Sequence, residues 1–222
     1  LLTGYTGQIS LGHAAFFGVG AYTEAVLIEA GWPFLLSFPT AGLLAGAVGV
    51  AIGLPALRLT GLYLAIATLA FAFIVEEVLA RWESVTHGHE GMAVGDISLL
   101  GMDIDTEWKL YYIAIAVLIL VMLGALNILR SPTGRAFVAI RDSEHAAQSL
   151  GVNLATYKTL AFAISAAFTG LAGALYAHKL LYISPDAFTI YMSIELLLMV
   201  VIGGLGSLHG VVFGAAFVIL LP

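Results

Sequence analysis

Long apolar stretches separate the charged residues of this chain, and they constrain its fold more than any other feature. Uncharged stretches cover residues 1–23, 30–57, 59–75, 110–129, 159–178 and 196–222. A helix that crosses a bilayer needs about 20 mostly apolar residues, so most of these stretches can hold one. They are rich in Ala, Leu, Ile and Gly and lack strand-type alternation, which favours helices over a membrane barrel.

Composition supports the same interpretation. Charged residues make up 10% of the chain and hydrophobic residues 61%, with a mean hydropathy of +1.03. Ordinary soluble domains carry about 25% charged residues. We therefore predict an all-α polytopic membrane protein, a single domain over residues 1–222 built as a bundle of about seven transmembrane helices. The predicted spans are 11–30, 36–57, 60–82, 109–129, 158–180, 188–204 and 208–222.

The ends of the sequence suggest a fragment. The chain starts at Leu1 without a methionine and stops at Pro222 within an apolar run. We expect the domain to be truncated at both ends, with further membrane helices on either side.

Several functional classes are disfavoured by what the sequence lacks. A net charge of −6 argues against a nucleic-acid partner. The chain has no cysteine, which excludes disulfides and thiolate metal sites, and it has no phosphate-binding loop for ATP. His87 and His89 have no clear third ligand beside them, so a solvated loop is a better interpretation than a metal site. We predict no cofactor, no metal and no enzymatic activity for this chain.

Sixteen of the 22 charged residues fall in two windows, Glu76–Lys109 and Arg130–Lys158. If residues 130–157 are cytoplasmic, five Lys and Arg residues lie on that side and three on the other, in agreement with the positive-inside rule. The acidic loop 83–108 is then extracytoplasmic. The five inner basic residues are Arg58, Arg130, Arg135, Arg141 and Lys158.

Small residues recur at four-residue spacing, which is typical of close helix packing in membranes. The sets are Gly42/Gly46, Gly49/Gly53, Ala166/Gly170/Ala174 and Gly206/Gly210/Gly214.

Residues 4–18 place glycines, Gln8, Ser10 and His13 directly before a strongly apolar helix. Irregular backbone at membrane depth is tolerated only where it is buried in protein or lines a watery cavity. The N–H groups of a half-helix there can point at an anionic ligand group. These residues are therefore candidates for a substrate pathway; the alternative is an interfacial helix start in which His13 only packs.

Glu195 is the most isolated charge, well inside the span 188–204. A carboxylate in a span should face the bundle interior or water, which makes Glu195 another pathway candidate. The alternative is a position near the outer interface, where the charge is merely tolerated.

The second polar window begins with a turn at 131–134. Residues Arg135 to Leu150 can form a short amphipathic helix with one small and apolar side, formed by Ala136, Ala139, Ile140, Ala147 and Leu150. Such a helix can fit a groove and transmit rigid-body motion, and its Arg135 and Arg141 can pair with acidic groups. A helix lying on the membrane surface is the alternative.

Six segments span nearly the whole chain in order: 4–22 (GYTGQISLGHAAFFGVGAY), 53–71 (GLPALRLTGLYLAIATLAF), 134–147 (GRAFVAIRDSEHAA), 150–153 (LGVN), 182–185 (YISP) and 199–207 (MVVIGGLGS). Together they resemble a known family, the permeases of branched-chain amino acid ABC importers, LivM-type branch.

The resemblance implies a multi-pass subunit of a prokaryotic plasma membrane that imports leucine, isoleucine or valine. Its implied partners are ATP-binding cassette subunits that hydrolyse ATP, a second homologous permease, an extracytoplasmic substrate-binding protein and membrane lipid. It also implies that residues 135–151 dock into the ATPase as a cytoplasmic coupling helix. The residues assigned to coupling are Arg135, Arg141, Glu144, Ala146, Ala147 and Gly151.

The outer loop bears on the cargo. Thr86 and Gly88 match the small and hydroxyl residues of the family's extracytoplasmic loop, and we place them in the substrate pathway. His87 and His89 depart from that pattern, which leaves a urea or short-amide permease of the same family as the alternative. A channel or membrane enzyme that works without ATPase partners is a third, less favoured function.

Overall fold

A computed structural model describes residues 1–56, 59–95, 97–99, 102–104 and 106–220. Most of these residues are helical. The predicted turn at 57–61 includes Arg58, which lies outside the described residues. The helices are α1 Leu2–Thr6, α2 His13–Glu29, α3 Phe34–Ala56, α4 Gly61–Arg81, α5 Glu83–Thr86, α6 Glu107–Arg130, α7 Pro132–Asp142, α8 Glu144–Ser149, α9 Leu154–Leu180, α10 Ile190–Gly203 and α11 Leu208–Leu220.

Short elements complete the chain at one end of the bundle. They are two 3-10 turns, Gly88–Glu90 and Pro185–Ala187, and the strands β1 Met92–Ala93, β2 Ile97–Leu99, β3 Met102–Ile104 and β4 Tyr182–Ile183. The strands β1 and β4 pair antiparallel, as do β2 and β3. We call this the outer end, after the predicted topology, and the end that carries α7 and α8 the inner end.

All seven predicted spans are helices, with ends that differ from the prediction by four residues or fewer. Five helical segments are long and apolar enough to cross a membrane, those at 34–55, 61–81, 107–130, 154–180 and 185–203. The helix α2 has 17 residues and α11 has 13, so they fall below that length. An all-α polytopic membrane fold is confirmed, whereas the number of crossings stays a prediction.

Helix α9 is the central helix and packs against α2 and α3 through small residues. A Cβ atom on Gly49 would lie 2.6 Å from Ala166 Cβ, and one on Gly42 would lie 2.7 Å from a methyl group of Leu171. Helices this close gain dispersion energy over their whole length, which replaces the hydrophobic driving force that lipid removes. The predicted close packing of the α3 and α9 small residues is confirmed.

The predicted single amphipathic helix 135–150 is in fact two helices. The backbone at Ser143 is extended, and its hydroxyl accepts a hydrogen bond from the N–H of Ala146 at 3.2 Å, so Ser143 caps a new helix. Ala136, Ile140 and Ala147 are buried as expected. Leu150 does not belong to the apolar side: it is 82% exposed, after α8 has ended.

The outer loop, residues 82–106, is also more ordered than the sequence suggested, in the part of it that the structure describes. Its glycines and aspartates indicated a segment without a core. Met92, Val94 and Ile97 are nevertheless almost fully buried, and Met92 and Val94 join a cluster that includes Tyr22 of α2 and Leu79 of α4. The pairing of β1 with β4 holds this loop against the end of α9.

A second hydrophobic cluster lies toward the inner end. It contains Leu2, Phe16, Leu64, Phe162 and Phe137, and the last of these comes from α7 outside the spans. Phe137 has no exposed surface, so α7 is anchored in the bundle core. Motion of α7 must therefore move its neighbours in the core or pull this ring out of it.

Candidate functional site

The backbone breaks between α1 and α2, in the segment that the sequence predicted to be irregular. Gly7 ends α1 in the left-handed conformation with φ 67°, and α2 begins only at His13. The side chains of Gln8 and Ser10 are buried, with 5% and 3% exposed. Non-helical backbone buried among apolar helices must find hydrogen-bond partners within the protein.

Hydroxyl groups from three parts of the bundle supply those partners. Three N–H groups each donate to one hydroxyl: Leu11 to Thr68 Oγ1 at 2.9 Å, Gly12 to Ser10 Oγ at 3.3 Å and Ala14 to Ser193 Oγ at 3.0 Å. These donors are therefore occupied in this structure. That an N–H group of the half-helix points at a ligand stays a prediction, and it does not extend to these three donors.

His13 completes this group of polar residues. One of its ring nitrogens, Nε2, lies 3.1 Å from Ser165 Oγ on α9. We call Gln8, Ser10, His13, Thr68, Ser165 and Ser193 the polar centre. The sequence identified the first three; the hydroxyl residues on α4, α9 and α10 were missed, because single Ser and Thr residues are common in apolar helices and carry no signal of their own.

The depth of the polar centre follows from helix geometry. Thr68 is seven residues into α4 and Ser165 eleven residues into α9, counted from their inner ends. At 1.5 Å per residue, they lie about 10 and 16 Å along helices that are each about 30 Å or longer. The polar centre is thus near the middle of the bundle.

Gln8 is the member of the polar centre with unused hydrogen-bonding capacity. Its Nε2 is buried and has no hydrogen-bond partner within the described part of the chain. A buried donor without a partner costs about 1–3 kcal/mol. The amide of Gln8 is therefore suited to donate to a carboxylate or carbonyl oxygen that enters the bundle.

The coupling segment, α7 and α8, touches the same region from the inner end. Arg141 Nη1 donates to the carbonyl oxygen of Gly4 at 3.2 Å, and Nη2 lies 3.0 Å from Asp142 Oδ1. The Gly4 backbone also meets Gly206, in the turn between α10 and α11. Arg141 thus joins α7 to α1 at Gly4, which lies four residues before Gln8. Its side chain therefore also makes a contact within the bundle.

Glu144 is bound within the chain as well. Its Oε2 lies 2.6 Å from Nζ of Lys158, which is 4% exposed on the first turns of α9. Beside this pair is an open cleft of about 510 Å³, lined by residues that include Gln148 and Asn153. The sequence assigned Glu144 to the ATPase contact; the structure adds that it fastens α8 to α9.

The other residues assigned to coupling differ in their solvent exposure. Arg135, Ala146 and Gly151 are exposed, whereas Ala147 is buried against the bundle. Gly151 has φ 85°, a conformation that favours glycine, and it forms the turn between α8 and α9. An exposed patch of this kind can receive another protein.

The outer pathway candidates do not join the polar centre. Thr86 is buried, and its hydroxyl donates to the carbonyl oxygens of Leu79 at 2.7 Å and Trp82 at 2.8 Å. It also accepts from the N–H of Gly88 at 3.3 Å. These two residues shape the turn at the outer end of α4. Glu195 is exposed on α10 and faces away from the bundle interior.

A buried polar cluster at the outer end was missed by sequence reasoning. Glu24 has no exposed surface, and its Oε1 accepts from Ser37 Oγ at 2.8 Å and lies 3.1 Å from His178 Nε2. The other ring nitrogen, Nδ1, is 3.2 Å from the carbonyl oxygen of Gly95. The cluster therefore joins α2, α3 and α9 to the outer loop. The feature of the sequence that could have indicated this cluster is Glu24 itself, a lone glutamate in an apolar helix.

This arrangement fixes where protons must be. A carbonyl oxygen can only accept, so Nδ1 of His178 carries a proton. A second proton must lie between Nε2 and Glu24 Oε1. The pair is then neutral overall, as burial at this depth requires. Within the described residues, no group of three or more His, Cys, Asp or Glu side chains could hold a metal ion.

An apolar helical bundle with a polar centre at mid-depth and an anchored pair of helices at its inner end fits a membrane transporter subunit. The family model for the branched-chain amino acid transport system permease component matches residues 1–221. The chain belongs to this family. The resemblance found in the sequence is confirmed, as is the multi-pass membrane location.

Individual relatives agree. The high-affinity branched-chain amino acid transport system permease protein LivM of Escherichia coli (strain K12) is 35% identical over 99% of this chain and 57% of its own length. The protein of the same name from Salmonella typhimurium is 34% identical over the same shares. The probable LivM of Methanocaldococcus jannaschii is 28% identical over 81% of this chain and 52% of its own.

The chain thus spans somewhat more than half the length of these relatives. No solved structure matches it. Because the family consists of permease components, the prediction of a transporter subunit in place of an enzyme is confirmed at that level.

Proposed function

We propose that this chain is the permease subunit of an ATP-driven importer that moves leucine, isoleucine or valine inward across a prokaryotic plasma membrane. Family membership and the names of three relatives support the cargo class. In this proposal an extracytoplasmic binding protein delivers the amino acid to the outer end, a second permease completes the pathway, and ATP-binding subunits at the inner end hydrolyse ATP.

One observation carries the mechanism: the hydrogen bond from Arg141 to Gly4. It places the coupling segment in contact with the helix that precedes the unwound residues of the polar centre. Phe137 strengthens the same connection because its ring is buried in the inner hydrophobic cluster. A rigid-body shift of α7 therefore moves α1, and α1 displaces Gln8 and Ser10 through the irregular segment between it and α2.

The polar centre suits the cargo chemically. A branched-chain amino acid is a zwitterion with an apolar side chain. The free Nε2 of Gln8 can donate to the carboxylate, while the hydroxyl groups and His13 offer acceptors for the ammonium group. Phe16 and Phe71, whose ring centroids are 5.2 Å apart, provide an apolar surface close by.

Substitution of Arg141 tests this mechanism. Arg141→Gln should lower substrate uptake more than tenfold while the assembled transporter still hydrolyses ATP, because the coupling segment moves without α1. Arg130→Gln is the matched control, since Arg130 is an exposed basic residue at the end of α6. Uptake by Arg141→Gln equal to that of the control would overturn the proposed coupling path.

A further inference from the structure

Helix α10 carries an apolar stripe with one charged residue on the side that faces away from the rest of the described chain. Ser193 of α10 is buried and accepts a hydrogen bond from Ala14 N–H of α2. Glu195 is two residues further on, which turns its side chain by about 200° around the helix, to the opposite side. The exposed stripe consists of Tyr191, Ile194, Glu195, Leu198, Val201 and Ile202.

Glu195 lies within the membrane part of this stripe. It is five residues from Ile190, the outer end of α10, and therefore about 8 Å along the helix. In the part of the chain that the structure describes, no hydrogen bond or ion pair reaches its carboxylate. A carboxylate in contact with lipid at this depth costs a few kcal/mol, and such residues almost always have a partner.

The exposed surface of α6 differs from this stripe. Only 6% of the apolar window of α6 is buried in the bundle, and residues 110–129 contain no charge. The exposed residues of α6 are large and apolar, Leu120 and Leu123 among them. The α10 stripe is also mostly apolar, but it contains the carboxylate of Glu195. A protein partner can pair with this charge, whereas lipid cannot.

Helices α10 and α11 form a tightly packed hairpin that leaves this stripe exposed. Gly203 and Gly210 meet so closely that a Cβ on either would overlap the other's backbone, and Gly214 packs against Gly203 in the same way. The apolar side chains of the stripe thus stay 41–80% exposed in the described part of the chain, while the other sides of α10 pack against α2 and α11.

We propose that the α10 stripe is the surface on which a second membrane-embedded subunit docks, and that this subunit presents a basic side chain to Glu195. Charge complementarity selects this occupant over lipid. The inference rests on the proposed function for the existence of a second permease, but the assignment of the surface is independent of the cargo.

Cysteine labelling tests the surface directly, because the chain contains no cysteine. Leu198→Cys and Ile194→Cys report on the stripe, and Leu120→Cys, an exposed position in the uncharged part of α6, is the control. A lipophilic maleimide is applied to membranes in which the whole protein is expressed alone or together with the second permease. We expect both stripe cysteines to lose several-fold in labelling rate on co-expression, while Leu120→Cys stays unchanged.

The role of the Glu195 charge is tested in the Leu198→Cys protein. Glu195→Leu should reduce co-purification of the second permease and restore labelling of Leu198→Cys. Stripe cysteines that react equally in both conditions would show that the stripe faces lipid. Protection already in the singly expressed protein would show that another segment of the same chain covers it. Either result overturns the proposal.

The proposed function is assessed separately by ATP-dependent uptake in the same cells. Uptake with unprotected stripe cysteines rejects only the docking surface. A protected stripe without ATP-dependent uptake rejects only the importer function.

Discussion

Lys158 Nζ lies 2.6 Å from Glu144 Oε2, so the first turn of α8 is tied to the first turns of α9. Lys158 is almost completely buried, whereas Glu144 is partly exposed beside an open cleft. Because α9 also carries Ser165 of the polar centre, this ion pair is a second connection between the coupling segment and mid-membrane. The first is the bond from Arg141 to Gly4.

The ion pair predicts a charge-reversal pattern. Glu144→Lys places two positive charges together and should impair ATP-dependent uptake strongly. Lys158→Glu should do the same. The double variant Glu144→Lys, Lys158→Glu restores the attraction and should recover most of the uptake; contacts of this kind show coupling energies of about 0.5–3 kcal/mol. If the double variant transports no better than the worse single variant, the pair has no role in coupling.

Gln8 should matter for transport more than for folding. Gln8→Ala removes the unpartnered buried amide and should lower uptake by tenfold or more while the protein stays as abundant in the membrane. Ile9→Ala is the neighbouring control, since Ile9 is 42% exposed and carries no polar group. Normal uptake kinetics in Gln8→Ala would remove this residue from the pathway.

The positions of the spans were predictable because charge spacing and hydropathy are local properties of the sequence. The polar centre was only half predictable. Gln8 and His13 stand out beside an apolar helix, but Ser193 becomes functional only when the fold brings α10 against α2. Lys158 and Glu144 are likewise fourteen residues apart, and nothing local shows that they meet.

The close packing of α3 on α9 at Gly49 can be tested by measuring thermal stability. Gly49→Ala places a methyl group 2.6 Å from Ala166 Cβ, so helices α3 and α9 must separate. Overpacking of this kind costs about 1–3 kcal/mol, and we expect a lower melting temperature in detergent. Gly124→Ala is the control, because the nearest atom would be 3.8 Å away and alanine improves helix propensity. Equal melting temperatures for the two variants would contradict the close packing of α3 on α9.

The Glu24 cluster should hold the outer loop in place. Glu24→Ala leaves Ser37 and His178 without their shared acceptor, at a cost of about 1–3 kcal/mol. We expect faster proteolysis of the outer loop and a lower melting temperature. In Glu24→Gln the amide nitrogen can take the place of Oε1 and donate both to His178 Nε2 and to Ser37 Oγ, while the Ser37 hydroxyl donates to the carbonyl oxygen of Phe34. This variant should therefore behave almost like the unaltered protein. Thr23→Ala is the control, because the Thr23 hydroxyl donates to the carbonyl oxygen of Val19 within α2 and not to the loop.

A loop as stable in Glu24→Ala as in Thr23→Ala would show that the cluster does not anchor it. The order of the outer loop was the least predictable part of the fold. Its anchoring depends on Gly95 meeting His178, residues 83 positions apart, and on the burial of Met92 and Val94 against three helices. Composition alone indicated a loop without a core because the local sequence is rich in glycine and aspartate.

The most direct test of the proposed function is uptake by the complete transporter in proteoliposomes. With the binding protein outside and ATP at the coupling side, we expect accumulation of radiolabelled leucine that excess isoleucine or valine inhibits and urea does not. Uptake that urea or a short amide inhibits while valine does not would assign the chain to the amide permeases. Leucine flux through this protein without ATP-binding subunits would contradict the account altogether.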